Sequence, residues 1–497
     1  MSGVMNGNNA IAGNNYRLVL RLLGNLLLLE GCLLVIPLCV CLGYGESDWR
    51  AFAAAAAANL AAGGALVFSG RNVRSRLLFR REGYLLTSLA WVFFSAFGMM
   101  PFLLSAQPLT VPDAFFETMS GFTTTGATVI TDVEAQSHGI LFWRALMQWV
   151  GGLGIVLFIL AVLPSLNQAG SLPMFNAEIT GVTHDKLHPR IRQTARSLWT
   201  IYVSLTAMLF VLLWLGPMDC FDALCQAMST LSTGGFSTRN AGISAWHSDY
   251  VAAVLSLFML VGGVNFILLY LFAHGNIKAL FKNDVFRAYI MTVAVFILVI
   301  CVAMGLCGTP CSVSDYLFKP VFLVSSAITS TGFSYGNYEA WGPLALGAIL
   351  VMMIFGACAG STTGGMKIDR ILVMLKNVRV QVHRTLYPLH VKNISLNGSI
   401  LSNENLRRVA AFTSVYLSLT TVATLVLCAF GVSVDDSFFA CASSIGNNGL
   451  GYGITGAEGS YSLLPDTGKW ILSALMLIGR LEIFTVVALF TRGFWHR

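Results

Sequence analysis

The sequence predicts an all-α polytopic membrane protein. Four repeats, each a span, a short re-entrant segment and a second span, share one axis, with two N-terminal transmembrane helices ahead of them. Three observations carry this. Of the 497 residues, 56% are hydrophobic and only 11% charged, against about 25% charged in an ordinary soluble domain. Apolar runs of about 20 residues, long enough to cross roughly 30 Å of hydrocarbon, recur along the chain. One polar, glycine-centred motif stands four times between such runs.

In chain order the runs are 22–43, 85–106, 145–165, 198–216, 251–273, 288–307, 343–359, 410–431 and 470–491, with the alanine-rich stretch 51–68 a weaker candidate. Ten to twelve spans are expected, on the order that a run of about 20 residues per crossing allows. Residues 1–15 form a polar lead without a signal-peptide cleavage pattern.

The net charge of +7 gathers in particular linkers: Arg71, Arg74, Arg76, Arg80 and Arg81; Lys186, Arg190, Arg192 and Arg196; Lys278, Lys282 and Arg287. A fourth group holds Lys367, Arg370, Lys376, Arg379, Arg384, Lys392, Arg407 and Arg408. The alternate segments carry Asp113, Glu117, Asp132, Glu134, Asp435 and Asp436. By the positive-inside rule the basic linkers are cytoplasmic and the glycine motifs face outward. Charges dispersed over short linkers make no nucleic-acid patch, so the partner that composition requires is the lipid bilayer. The eleven cysteines form no CxxC or zinc signature, and the close pairs Cys220/Cys225 and Cys307/Cys311 read as small apolar residues.

The first motif is SGFTTTGATV (120–129). Its glycine, Gly126, recurs as Gly235, Gly332 and Gly449, at intervals of 109, 97 and 117 residues. Six residues before each stands a serine (Ser120, Ser229, Ser326, Ser443), and four before, an apolar residue (Phe122, Leu231, Ile328, Ile445). Thirteen before stand Asp113, Asp222, Lys319 and Asp436. This is a fourfold internal repeat. The segment leading to each motif has about 10 residues, too few to cross a bilayer at 1.5 Å per residue. It opens with Asp in three of four repeats, a favoured helix N-cap. A half-helix and re-entrant loop follow, since irregular backbone survives at that depth only when buried in protein or lining a water-filled cavity.

The motif cores are Thr124, Thr125, Gly126 and Ala127; Thr233, Gly234, Gly235 and Phe236; Ser330, Thr331, Gly332 and Phe333; and Asn447, Asn448, Gly449 and Leu450. Glycine opens backbone conformations closed to other residues, so that successive carbonyls can face an axis. Rings of carbonyls replace the hydration shell of K⁺, and half-helix C-termini add partial negative charge. The sixteen residues are therefore expected to form a K⁺ filter, in four span–pore-loop–span repeats around one central pore.

Below them, FGACAGSTTGGMKIDR (355–370) makes a weak helix at membrane depth. Gly356, Gly360 and Gly364 would suit a close-packing helix face. A packing face has no use, however, for the polar run Ser361, Thr362 and Thr363 beside Gly364 and Gly365. Arg480 lies about ten residues, roughly 15 Å, from either end of 470–491. A charge there faces the bundle interior or a water-filled path. Two arrangements remain open for it: lining the pore and pairing with the 356–366 segment, or satisfying carbonyls between helices. Glu482, two residues on, falls on another helix face and is no obvious partner. Gly151, Gly152, Gly262, Gly263 and Gly479 read as close-packing points, and Gln148 and Asn265 as minor lining candidates.

Other classes fit less well. An enzyme would need a metal set, clustered acids or an activated nucleophile. The adjacent acids Asp435 and Asp436 fall at the expected N-cap of the fourth half-helix, the eight histidines are scattered, and there is no P-loop. Neither catalysis nor a bound cofactor is expected. An alternating-access transporter would have two repeats of several spans rather than four three-part units. A scaffold or receptor would have no use for four polar loops at membrane depth. The boundaries expected are 1–83 for the N-terminal pair, then 84–185, 186–280, 281–385 and 386–497 for the repeats.

With four such repeats present, the sequence resembles the Trk/Ktr/HKT superfamily of potassium transporters, of the TrkH type. The resemblance spans nearly the whole chain and is carried by 120–129, FWRALMQWVGGLGIVLFILAVLP (142–164), STLSTGGFSTRNAGI (229–243), GACAGSTTGGMK (356–367) and MLIGRLEIFTVVALF (476–490). It implies K⁺ uptake across the bacterial inner membrane, with the filter side periplasmic. It also implies a homodimer and a cytoplasmic ring of TrkA-like, Rossmann-type nucleotide-binding subunits that regulates the pore. The segment 356–366, with Lys367, would be a mobile gate. Gly126, rather than serine, implies K⁺ over the Na⁺-preferring relatives. Channel-like flow, Na⁺ permeation and H⁺ or Na⁺ symport all remain open. One departure stands out: Asn448 occupies a place where the family more often has an apolar residue, and its amide would either line the filter or prop the loop from behind.

Overall fold

Runs that read as uniform in the sequence fold as helices interrupted where glycine and polar residues fall. The computed structural model describes residues 16–71, 80–154, 191–308, 312–387, 393–456 and 459–495. The polar lead 1–15, the second half of the run 145–165, and Arg74, Arg76, Lys186, Arg190, Lys392 and Cys311 lie outside the described residues. Among those described, seven helices are long and apolar enough to cross a membrane, or nine when two sharply bent pairs are counted.

The N-terminal pair comprises Tyr16–Tyr44 and Trp49–Ser69. The second is the alanine-rich stretch, and it is a full 21-residue helix. Alanine is the strongest helix former, and small side chains let backbones approach. At the crossing, a Cβ on Gly24 would sit 2.7 Å from the Gly63 carbonyl oxygen, and one on Gly63 would sit 2.9 Å from that of Gly24. Gly24→Val is therefore expected to destabilise the protein by about 1–3 kcal/mol, the usual cost of overpacking. A lowered melting temperature in detergent would measure it.

The half-helices are Val111–Phe122, Cys220–Leu231, Val313–Ile328 and Val434–Gly446. Their N-caps are Thr110, Asp219, Ser312 and Ser433, each accepting a hydrogen bond from the backbone N–H three residues on. Asp113, Asp222 and Asp436 thus stand at the third helical position, not at the cap as expected. Asp435 likewise lies in the first turn rather than at the cap. Acids in a first turn suit the helix dipole. In the third repeat the half-helix is a turn longer; Asp315 takes that place in a capping box, and Lys319 falls inside.

Two of the expected spans are broken. Asp249–Gly262 meets Phe266–Ala273 at 105°, and Asp466–Arg480 meets Phe484–Phe490 at 108°. At the first break Asn265 caps the new helix by accepting from Ile267 N. At the second, Glu482 and Ile483 have φ of +55° and +40°, which ends the helical ladder. The run 343–359 also stops early, at Phe355, and the chain becomes helical again only at Ile368. The buried apolar residues fall into four clusters that largely follow the chain: the N-terminal pair with the first repeat, then one for each later repeat.

Candidate functional site

All four half-helices end in the same way. The residue two before each motif glycine has a left-handed φ: +55° at Thr124, +54° at Thr233, +50° at Ser330 and +48° at Asn447. The N–H of the following residue reaches back to the serine carbonyl at 2.8–2.9 Å: Thr125 to Ser120, Gly234 to Ser229, Thr331 to Ser326 and Asn448 to Ser443. This is the Schellman closure of a helix C-terminus, normally made with glycine. Threonine there is strained, being β-branched. The next positive φ is at the glycine itself, +82° to +85° in the four copies. Alternation of left- and right-handed residues turns successive carbonyls toward one side.

The loops abut in a closed order. A Cβ on Gly126 would run into the Gly234 carbonyl, one on Gly235 into that of Thr331, one on Gly332 into that of Asn448, and one on Gly449 into that of Thr125. Each glycine thus faces the backbone of the next repeat, and the fourth faces the first. In every motif the glycine is partly accessible while its immediate neighbours, from Thr125 and Ala127 to Asn448 and Leu450, are buried. The four glycines line a vestibule of about 650 Å³.

Side chains behind the ring hold it. Asn448 donates from Nδ2 to the Ala327 carbonyl at 2.6 Å, so its amide props the loop against the third half-helix. Asn447 Nδ2 donates to Thr125 Oγ1 (3.1 Å) and to the Met476 carbonyl (3.0 Å). Gln148 is a brace rather than a lining residue: Nε2 donates to the Gly234 carbonyl at 2.7 Å and Oε1 accepts from Phe236 N at 3.1 Å. Asn265 lines the second cavity described below and donates to the Ala359 carbonyl at 2.9 Å.

The segment 356–367 crosses beneath the ring as a loop, not a helix, with positive φ at Gly356, Gly360, Gly365 and Lys367. Thr362 Oγ1 lies 3.2 Å from Thr233 Oγ1 and donates to the Leu231 and Gly262 carbonyls (3.3 and 3.2 Å). Gly364 N donates to Ser330 Oγ at 2.6 Å, and its Cα lies against the Gly446 carbonyl, leaving no room for a side chain. Ser361 and Thr363 share a hydroxyl hydrogen bond of 2.7 Å, and Lys367 donates to the Thr363 carbonyl. Gly360, Ser361, Thr363, Lys367 and Arg480 line a second cavity of about 140 Å³.

Arg480 is the last residue of its helix, at the break, rather than in mid-helix. It bonds the 356–366 segment and also satisfies carbonyls of another span. Its Nη1 donates to the Thr362 carbonyl (2.8 Å), and Nη2 donates to the Gly151 and Gly152 carbonyls (2.6 Å each). As expected, Glu482 is not the partner found for Arg480: it pairs with Arg370, whose guanidinium also lies 3.9 Å over the Phe412 ring. The glycines of the second spans are packing points: a Cβ on Gly151 would meet the Phe122 carbonyl, and one on Gly479 that of Ile445. Sequence reasoning passed over the buried pair Glu117–Arg144, at 2.8 Å. Arg144 stands one residue before the run 145–165, where a charge reads as the edge of a linker rather than as a buried residue.

A helical, multiply spanning protein with a ring of backbone built this way falls in the class of membrane transporters, as its relatives do. The TrkH family, described as cation transport protein, matches residues 49–496, and the chain belongs to that family. It is 36% identical over 486 residues to the Trk system potassium uptake protein TrkH of Escherichia coli K12, covering 97% of this chain and 100% of that one. Against the protein of the same description from Halomonas elongata it is 35% identical over 490 residues, 97% and 99% of the two chains. Among solved structures, the crystal structure of the potassium transporter TrkH from Vibrio parahaemolyticus matches with a TM-score of 0.88 at 33% identity, over 97% of this chain and 100% of that one.

Proposed function

We propose that this chain carries K⁺ into the bacterial cell across the inner membrane. The filter would be the four motif cores around Gly126, Gly235, Gly332 and Gly449, and the gate the segment 356–367 with Arg480. One observation carries the reading: the four loops close on one another, each glycine against the next repeat's carbonyl. Such a ring presents several backbone oxygens to one dehydrated cation, with four half-helix C-termini aimed at it. The names of the relatives, potassium uptake proteins, agree with it.

In this reading the repeats have the boundaries given above, the glycine ring faces the periplasm and the basic linkers the cytoplasm. Ions leave the vestibule through the ring, meet the loop at Thr362, and continue past Arg480 when the loop moves. A cytoplasmic nucleotide-binding ring would bias that movement, and two chains would associate as a homodimer, as the family resemblance implies. Asn448 serves selectivity by holding the fourth loop, not as a ligand.

The test is K⁺-limited growth and radioactive Rb⁺ uptake in bacteria stripped of their own K⁺ uptake systems. The chain is expected to restore both, and Gly126→Ser to lower uptake or its K⁺ preference. Absence of uptake even with the host's regulatory ring subunit co-expressed would refute the reading.

A further inference from the structure

The half-helices differ at several buried places, and at one of them the first repeat alone carries a charge. Nine residues before the motif glycines stand Glu117, Gln226, Leu323 and Ala440, and all four are buried. Resting on the filter reading above, we infer that Glu117 and its partner Arg144 are positioning residues that set the ion selectivity of the first and second filter loops.

The geometry carries this. Glu117 is wholly buried and Arg144 is 2% exposed. The Glu117 carboxylate accepts from Arg144 Nε at 2.8 Å, from Val129 N at 3.0 Å and from Thr128 Oγ1 at 3.0 Å. Arg144 in turn donates through Nη1 to the Ser237 carbonyl at 3.0 Å and through Nη2 to Thr128 Oγ1 at 3.1 Å. Its guanidinium lies 4.2 Å from the centre of the Phe236 ring. Thr128 and Ser237 are each two residues past the motif glycine, in the first and second loops. One ion pair thus pins the outer ends of two neighbouring filter strands to each other and to a half-helix.

Neutral groups share that work around the ring. Tyr338 donates its hydroxyl to the Gly451 carbonyl at 2.7 Å, two residues past Gly449. Tyr461 N donates to the Thr128 carbonyl at 3.2 Å. In the second repeat Gln226 Nε2 donates to Ser237 Oγ at 3.1 Å. Leu323 and Ala440 fill the same position in the third and fourth repeats, so a half-helix at this depth does not need a charge there to pack. A buried ion pair is rarely worth more than apolar residues of the same volume. What the pair adds is a fixed, multiply bonded placement of the carbonyl strands that replace the hydration shell of K⁺.

Removing one partner alone strands a buried charge and invites misfolding, so the test uses Thr128→Val and the double variant Glu117→Leu/Arg144→Met. The first deletes a hydroxyl bonded to both members of the pair and leaves the shape nearly unchanged. The full-length protein is purified, checked by size exclusion, placed in liposomes, and its K⁺ and Na⁺ fluxes are compared. The K⁺/Na⁺ flux ratio is expected to fall about tenfold in both variants, the effect of one charge-assisted hydrogen bond. Fluxes of both ions falling together at an unchanged ratio would mark the pair as merely structural and overturn the inference. Should the double variant not fold, Thr128→Val decides alone. Gly126→Ser is run beside them: a lowered ratio there with an unchanged one in Thr128→Val refutes the brace only. An unchanged ratio in Gly126→Ser as well refutes the filter reading and the brace with it.

Discussion

Gly332→Ser is expected to lower the preference for K⁺ over Na⁺ by about 10- to 100-fold, a shift read directly from the reversal potential. The residue has φ of +85°, where a side chain is strained. A Cβ there would press into the Asn448 carbonyl and come within 3.3 Å of Gly449 Cα. Both are backbone atoms of the adjoining filter loop, so no flexible side chain can swing away. Strain of this kind costs about 1–3 kcal/mol, and relieving it means parting two loops or turning a carbonyl off the axis. On the proposed filter reading, either change enlarges the cage that suits K⁺. Gly449→Ser should behave alike, since its Cβ would meet the Thr125 carbonyl. Gly347, whose Cβ would meet nothing within 4 Å, supplies the control: Gly347→Ser should leave the reversal potential where it was. A parental response from Gly332→Ser would remove the glycine ring from selectivity.

The fourfold pattern was legible because the demand at its centre is strict: only glycine fits a left-handed position whose Cβ would strike the next loop. The capping demand is looser. Thr110, Asp219, Ser312 and Ser433 do the same work with three residue types, so the cap hid while Asp113, Asp222 and Asp436, at the third helical position, stood out. Glu482 was rightly set apart from Arg480, but its own partner was not legible, because its direction was deduced for an unbroken helix. The positive φ at Glu482 and Ile483 turns the carboxylate toward Arg370, 112 residues away in the chain. Gln148 was legible only as a lining candidate, and the Glu117–Arg144 pair not at all, for a different reason. Each is present in one repeat only and serves the loop of a neighbour, so repetition, the strongest signal in this sequence, carries no trace of them.

Arg480→Gln is the second change with a large expected effect: K⁺ flux without the regulatory partner should rise about tenfold or more. The guanidinium joins three parts of the chain, bonding the Thr362 carbonyl in the loop and the Gly151 and Gly152 carbonyls in the second span of the first repeat. A hydrogen bond to a charged group contributes about 1.5–3 kcal/mol, so on the proposed gate reading losing the Thr362 bond alone moves a closed-to-open equilibrium by about a factor of ten. Glutamine, shorter and with a single NH₂ group, cannot span both anchors. Removing the positive charge would also raise flux, by lowering the barrier to a cation beneath the filter, and the two causes share a sign. Arg480→Lys separates them, because it keeps the charge but gives up the planar fork. A leak as large in Lys as in Gln assigns the closure to the carbonyl bonds. Thr362→Val should then leak as well, since it loses the bonds to Leu231 and Gly262 with no change of charge. Silence in both, with a leak only in Gln, makes the charge itself the barrier and leaves the loop's bonds to position it.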